Sequence, residues 1–315
     1  MLKLFRAIII FIILSFITPV NAAAPNWQLT AKMRTSYFIV HYASDPYLAK
    51  LLAEEARDAL IRISRDLGQP IDKNRPFPLY VYPTHFGFLQ AGGLETSKFT
   101  IGTASSGNET ISIDASGVFA SPDEVLAHEI THAVIFRALG PKLGAIPLWV
   151  NEGLAKYESE QFTNKDDSII ADAAGNGILI PLRNLTSQFP KDRNDLAYAE
   201  SASAIRYFVK KYGKTAPRIL ISEMARTGSF DKAMYKITGN SSAAFMDKWY
   251  AYTTKHYWGM KVARIGTAII SAIMAILVIV AFFVRRKQKI KAAKQWDQEQ
   301  FEENIRKQLG NDWWR

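Results

Sequence analysis

The run His128-Glu129-Ile130-Thr131-His132 contains the residues whose types and spacing have the clearest chemistry in this chain. Histidines four positions apart on a helix lie on one face, one turn apart, where both imidazoles can bind one metal ion. Glu129 would lie beside that ion, where it can take a proton from metal-bound water and pass it to a leaving amine. The spacing therefore indicates metal-assisted hydrolysis of an amide bond.

The residues around this run predict a helix that packs against a core. Ser121 is a candidate N-cap, Pro122 suits the first helical position, and Glu124 completes a capping-box pattern. Gly140-Pro141 would end the helix near Leu139. Apolar residues beside the histidines favour a buried helix over a pair of surface histidines. These residues are Val125, Leu126, Ala133 and Val134.

A third metal ligand is expected downstream, in the segment Pro147 to Ala155. The metzincin pattern fails, because Ile135 and Ala138 stand where its glycine and its third histidine would be. Glu152 is the candidate, because Asn151 could cap a helix whose first turn presents this carboxylate. The gap of 20 residues after the second histidine lets the first helix end and another return against it.

Together the two motifs resemble those of gluzincins, zinc peptidases whose metal ligands are two histidines and one glutamate. Trp149 to Ala155 resembles the glutamate-ligand helix of the aminopeptidase branch and of the bacterial peptidase MA-like family. The second family fits better, since the resemblance runs from about Tyr37 to Gly213 and includes Leu126 to Glu129 and Ala197 to Ser201. It implies a zincin-like domain with one Zn²⁺ per chain and Glu129 as the base. The implied zinc ligands are His128, His132 and Glu152.

Tyr198 is our candidate for the group that stabilises the oxyanion, because a phenol can donate a hydrogen bond to the charge that develops there. A packed helical tyrosine is the alternative, and Tyr157 is a weaker rival for the same role. A different class of function is a zincin-fold binding or sensing module that keeps its metal without doing chemistry. Glu129 argues against that alternative, because a structural metal site needs ligands but no base.

The sequence departs from the aminopeptidases upstream of His128. Their Gly-x-Met-Glu-Asn segment, which binds the free amine of the substrate, has no counterpart here, and Gly102 to Ser105 occupies about that place. Cleavage within a peptide is therefore favoured over removal of its first residue. We expect Glu109 to Asp114 to be the sheet edge with which an extended peptide pairs.

The N-terminus has the features of a secretory signal. Lys3 and Arg6 precede an apolar stretch, and small residues favour cleavage after Ala22. Residues 1–22 are therefore predicted to be a signal peptide, with an uncleaved anchor as the alternative. A peptidase domain over residues 25–258 would then be exported.

A second apolar run, Ile265 to Val284, carries no charge over 20 residues. A helix of this length crosses the hydrocarbon core, so a transmembrane helix is predicted over residues 262–284. The basic run Arg285-Arg286-Lys287 follows at once and places the tail, residues 285–315, in the cytoplasm. The predicted location is a single-pass protein of a cell membrane, and we take the source to be bacterial.

The net charge of +10 belongs mainly to these ends. Pro25 to Trp258 contains 26 Lys and Arg against 24 Asp and Glu, so nucleic acid is not an expected partner. The expected partners are a peptide or protein substrate and the membrane. The chain has no cysteine, which excludes disulfides, cysteine zinc sites and thiol catalysis.

The remaining pattern predicts an α+β fold, with a small N-terminal sheet carrying one helix and a mainly helical half after it. The expected strands are Ser36 to Tyr42, Phe77 to Tyr82, Lys98 to Thr103 and Glu109 to Asp114. The expected helices of the domain are Asp45 to Leu67, Ser121 to Leu139, one beginning near Asn151, and Asp195 to Tyr212.

Overall fold

The computed structural model describes residues 28–92 and 100–311, which form a small sheet followed by a mainly helical half. The predicted signal peptide lies outside these residues. The described strands are β1 (Ala31–Arg34), β2 (Phe38–Tyr42), β3 (Phe77–Tyr82), β4 (Gly102–Ala104) and β5 (Ile111–Asp114). The described α-helices are α1 (Pro46–Asp66), α2 (His85–Gly92), α3 (Pro122–Leu139), α4 (Leu148–Glu158), α5 (Asn164–Asn176), α6 (Asn194–Tyr212), α7 (Ala216–Thr227), α8 (Phe230–Thr238) and α9 (Ser242–Asn311).

The five strands form one sheet in the order β1-β2-β3-β5-β4. The three central strands are parallel, and the two outer strands are antiparallel to their neighbours. Alternate apolar side chains of the central strands are buried, so one face of the sheet packs against α1 and α3. These side chains are Phe38, Val40, Phe77, Leu79, Val81, Ile111 and Ile113.

The expected substrate edge is corrected by this topology. β5 lies between β3 and β4, so its backbone groups are paired on both sides, and the expectation that Glu109 to Asp114 is the edge is wrong. The end strand beside it is the short β4, Gly102–Ala104. Sequence alternation predicts that a segment is a strand, but the order of strands depends on pairing between distant parts of the chain.

The α+β class and the long helices are confirmed, with differences at two helix starts. The hydroxyl of Ser121 pairs with the side chain of Asp123 and does not cap the backbone of α3, so the predicted capping box is wrong. α4 begins at Leu148, directly after Pro147, which places Asn151 inside the helix and not at its cap. No side chain caps the first turn. One of its backbone amides, the N–H of Leu148, donates instead to the carbonyl of Thr186, in a distant loop, at 2.8 Å.

α4 lies very close to α6, and a glycine permits this contact. A Cβ atom on Gly153 would lie 2.5 Å from the carbonyl oxygen of Ser201, closer than real Cβ atoms approach. The residue after Glu152 therefore has to be glycine for the two helices to pack as they do. α4 also packs against α3, so it is held from two sides.

α9 joins two environments in one helix. Its first part packs on the domain through a buried stripe that includes Phe245, Trp249 and Tyr257. Among the described residues, one helical stretch, Ile269–Gln308, is long and apolar enough to cross a membrane, and none of its most apolar window is buried. This stretch overlaps the apolar run that predicted a transmembrane helix.

Candidate metal centre

α3 and α4 bring three potential metal ligands together. Nε2 of His128 and Nε2 of His132 each lie 3.6 Å from Oε2 of Glu152. One ligand atom from each residue lies within 4.8 Å of the other two. The two imidazole rings are 4.9 Å apart between centroids and nearly perpendicular. The three residues predicted as ligands therefore surround one point, although they lie on two helices.

The outer nitrogen of His128 is held by a residue that the sequence did not indicate. Its Nδ1 lies 3.1 Å from Oε1 of Gln161, an acceptor, which favours the tautomer that leaves Nε2 free for a metal. Gln161 follows Glu160, a non-glycine residue in the left-handed region with φ of 56°. This turn after α4 brings the chain back, and the N–H of Gln161 donates to the carbonyl of Lys156 at 3.2 Å. No sequence motif marks this position.

His132 has a polar neighbour on its outer side as well. Its Nδ1 and the Oδ1 of Asn151 are both buried, and neither has a hydrogen-bond partner among the described residues. Burial lowers the pKa of His132, and Asn151 is one of the groups that act against burial and raise it. The outer nitrogen of a metal-binding histidine usually donates a hydrogen bond, and the oxygen of Asn151 is a candidate acceptor for it.

The charges of the site favour a cation. Burial lowers the pKa of His132, but Glu152 outweighs it and raises that pKa to about 9. Burial raises the pKa of Glu152, but its contacts with both histidines lower it to about 2. Glu152 is thus an anion that attracts a positive charge between the imidazoles. Two imidazoles and one carboxylate with a position left open form a donor set that suits catalytic Zn²⁺.

Glu129 and Tyr198 lie in the cleft beside these ligands. The cleft has a volume of about 660 Å³ and is lined by both residues and by His128. Burial raises the pKa of Glu129. Burial is also the main reason why the pKa of Tyr198 is raised, so its phenol keeps its proton and stays a hydrogen-bond donor. Tyr157, the weaker rival, lines a different groove, beside α9.

Strand β4 reaches the cleft through a glycine. A Cβ atom on Gly102 would lie 2.6 Å from Oε1 of Glu129 and 2.8 Å from Val125. Only a residue without a side chain lets the strand lie this close to the carboxylate. In the sequence, Gly102 stands at about the position of the amine-binding segment of the aminopeptidases, but nothing there indicated its contact with Glu129.

Part of the lining of the cleft comes from the start of α5. Thr163, Lys165, Asp166 and Ile169 line it, and we call these four residues the α5 rim. Thr163 and Asp166 form a capping box that fixes the first turn of the helix. Lys156 of α4 binds Asp166 at 2.5 Å and so neutralises this carboxylate within the wall.

Comparison with known proteins gave one family. The family model of the Peptidase MA superfamily matches residues 55–255, which include every residue of the centre described above. A search of curated proteins gave no match.

Solved structures of M1 zinc metallopeptidases are similar to this chain. One, from Deinococcus radiodurans, has a TM-score of 0.44 and 16% identity over 72% of this chain and 50% of its own. A two-domain M1 enzyme variant bound to L-arginine gives the same values, and one bound to L-tryptophan has a TM-score of 0.42 and 14% identity over 70% and 50%. The chain spans half the length of these proteins.

Proposed function

The chain belongs to the Peptidase MA superfamily, and from this premise we propose that it is a membrane-anchored zinc endopeptidase. The match confirms the family that the two motifs predicted and supports a metallopeptidase. The proposal assigns one Zn²⁺ per chain to His128, His132 and Glu152. It assigns the role of general base to Glu129 and that of oxyanion donor to Tyr198.

The convergence of both imidazoles on Glu152 carries this proposal. Helix periodicity alone accounts for the histidine pair, but Glu152 comes from another helix, and both Nε2 atoms lie 3.6 Å from the same oxygen. The outer nitrogen of His128 is already bound to Gln161. A zinc ion held there supplies Lewis-acid polarisation of the scissile carbonyl and makes water more acidic.

Glu129 and Tyr198 are placed to do the remaining work. Glu129 is buried at the wall of the cleft, next in sequence to one ligand, so its carboxylate can take a proton from water and give it to the amine that leaves. Tyr198 lines the same cleft, and its ring contacts Phe189 edge-on at 5.0 Å between centroids, which restrains the phenol. A restrained donor stabilises the oxyanion without reorganising during the reaction.

The end strand β4 supports internal cleavage of an extended peptide. It is the last strand of the described sheet and reaches Glu129 at Gly102, so a peptide that pairs with its outer edge would pass the base. The three residues of β4 are Gly, Thr and Ala, which offer no carboxylate to bind a free amine. These features favour an endopeptidase over an aminopeptidase.

The apolar part of α9 supports anchoring in a membrane. The apolar run Ile265 to Val284 is 20 residues long, about the length needed to span the hydrocarbon core; the most apolar window of this stretch is exposed, and basic residues follow it. We propose that the domain lies outside the cytoplasm and the tail inside, as the positive-inside rule requires.

The test uses the full chain in detergent, with zinc content and cleavage of denatured casein as the two measurements. About one zinc per chain is expected, and Glu129→Gln should retain it while turnover falls by about 10²- to 10⁴-fold, as for loss of a general base. Glu124→Gln is the matched control, because Glu124 is exposed on the first turn of the same helix and should change neither measurement.

Two results would contradict the proposal in different ways. A folded chain that binds no zinc after reconstitution would remove the metal centre. A chain that binds zinc but cleaves no peptide, with or without Glu129, would make it a binding or sensing module.

A further inference from the structure

We infer that the cleft opens at the membrane-proximal end of the domain, so that the substrates are extended segments of membrane-anchored proteins close to the lipid surface. This inference rests on the proposed peptidase function and on anchoring through α9. It follows from the position of one short helix, α5, between the cleft and α9.

Neighbouring residues of α5 face the cleft and contact α9. The α5 rim faces the cleft, and Asp167, the residue next to Asp166, faces α9. There the hydroxyl of Tyr257 donates to Oδ1 of Asp167 at 2.5 Å. A helix with its side chains is about 10 Å wide, so the cleft and α9 are separated by about that distance.

The contact lies at the end of α9 that leads to the membrane. Near the start of α9, Phe245 stacks on Trp149 at the beginning of α4. Tyr257 comes twelve residues later, about 18 Å further along the helix axis. It is also the last buried residue of α9 among those whose side chains are described. The α5 rim is therefore at the level where the domain ends and the exposed part of α9 begins.

The remaining distance to the membrane is short because the helix is continuous. Ile265, the first residue of the apolar run, comes eight positions after Tyr257, which corresponds to about 12 Å along the helix. The headgroup region occupies roughly 5–8 Å of that distance on each side of a bilayer. An extended chain advances about 3.3–3.6 Å per residue, so about four residues of a neighbouring protein reach from its membrane span to the level of the rim.

A cationic groove at the same end of the domain fits the phosphate-rich surface of a membrane. It lies between α6 and α9, has a volume of about 420 Å³ and contains the basic residues Arg206 and Lys210. Tyrosines line it as well, as is typical of residues at a membrane interface. Asp167 is its acidic residue and is bound to Tyr257. The groove supports an orientation in which this end of the domain faces the lipid.

The test compares two reporters in liposomes with the full chain. Each reporter is a single-span protein with an unstructured outer segment that carries a casein sequence which the detergent-solubilised chain cleaves. The scissile bond lies about 8 residues from the span in one reporter and about 20 residues in the other. Both distances exceed the roughly four extended residues that reach from the span to the level of the rim. A variant of the enzyme carries about 18 additional helical residues after Trp258. This insertion raises the domain by about 27 Å and, because it adds about five full turns, keeps the rotational orientation of the domain about the helix axis.

The unmodified chain should cleave both reporters in liposomes at rates within about threefold of each other. The raised variant should lose more than tenfold of its cleavage of the short reporter and keep its cleavage of the long one, because the rim then lies about 12 extended residues from the membrane. Both enzymes should cleave both reporters equally in detergent, which shows that the insertion leaves the domain folded.

Two outcomes overturn the inference and are distinguishable. If the unmodified chain cleaves the short reporter in detergent but not in liposomes, the cleft is far from the membrane, while the proposed peptidase function stands. If it cleaves nothing in detergent although zinc is bound, the proposed function fails, and the substrate class fails with it.

Discussion

α3 and the stretch Ile269 to Val284 of α9 are both helical, and each places residues where residues of that kind are normally rare. α3 buries Glu129, Thr131 and His132 within the domain, where polar side chains are costly. α9 exposes a continuous set of large apolar side chains between Ile269 and Val284, which is equally costly in water. Each helix therefore departs from ordinary amphipathic patterning, in opposite directions.

The comparison teaches that each helix presents groups that suit a partner from outside the chain. Under the proposed function, a cation and hydrogen-bond donors satisfy the buried polar atoms around His132, and lipid covers the exposed apolar side chains of α9. The three predictions below test the two sides separately.

The largest effect is expected from a charge placed in the apolar run of α9. Met274 lies near the centre of the apolar run and is 57% exposed. Met274→Arg should make membrane insertion less favourable by about 3 kcal/mol, because a guanidinium at the centre of a span costs about that much. The measurement is the inserted fraction, read from glycosylation sites placed on both sides of the run.

Ile290→Arg is the control, since Ile290 lies beyond the basic run and should insert normally. Unchanged insertion of Met274→Arg with a lower melting temperature of the domain would show instead that this part of α9 packs inside a protein.

A second effect is expected at Glu200, a polar residue buried in α6. Its Oε1 accepts a hydrogen bond from the N–H of Ile180 at 2.9 Å, and its Oε2 is buried without a partner among the described residues. Burial raises the pKa of Glu200 to about 8. The folded chain thus holds this proton more tightly than the unfolded chain, and stability should fall as the pH rises from about 4.5 to 8.

Glu200→Gln removes this charge and should remove the fall. We expect similar melting temperatures for both proteins at low pH and a gain of roughly 2 kcal/mol for the variant at pH 8, or about 4–8 °C. The measurement is thermal unfolding in the presence of a chelator, with the exposed Glu54→Gln as control. An equal loss of stability with pH in Glu200→Gln would show that another group carries the dependence.

The smallest effect is expected at Gln161, which orients His128. Gln161→Ala should lower zinc affinity by about tenfold or somewhat more, as loss of an outer partner of a metal-binding histidine does. Competition with a chromophoric chelator measures this affinity without relying on activity. Gln188→Ala, an exposed glutamine on a loop, should leave affinity unchanged, and an equal loss in both variants would contradict the positioning role.

The sequence was sufficient where the periodicity of one element decides, but local patterns failed at the starts of α3 and α4, where Ser121 and Asn151 do not cap the helix. The spacing of His128 and His132 places them on one helix face, and the apolar alternation of β3 follows from period-two patterning. Glu152 could be proposed because its motif resembles that of a known family. Its distance from the histidines could not be predicted, because it depends on how α4 packs between α3 and α6.

Long-range contacts account for what was missed. Gln161 reaches His128 across 33 residues, through a left-handed turn at Glu160 that no local preference signals. β4 became the sheet edge because it pairs outside β5, and strand order cannot be read from alternation. α5 escaped prediction although it carries a regular capping box, since its apolar stripe is short.

Because α9 is unbroken, it also fixes the rotational orientation of the domain relative to the apolar part of the same helix. A straight helix turns by about 100° for each residue, so removing one residue between Tyr257 and Ile265 would rotate the whole domain by about that angle relative to the apolar part that we propose to span the membrane. A flexible linker would absorb such a change, whereas this helix transmits it. Under the proposed anchoring, the direction in which the cleft faces is thus encoded in the number of residues between the domain and the span, as long as those residues keep the helix unbroken.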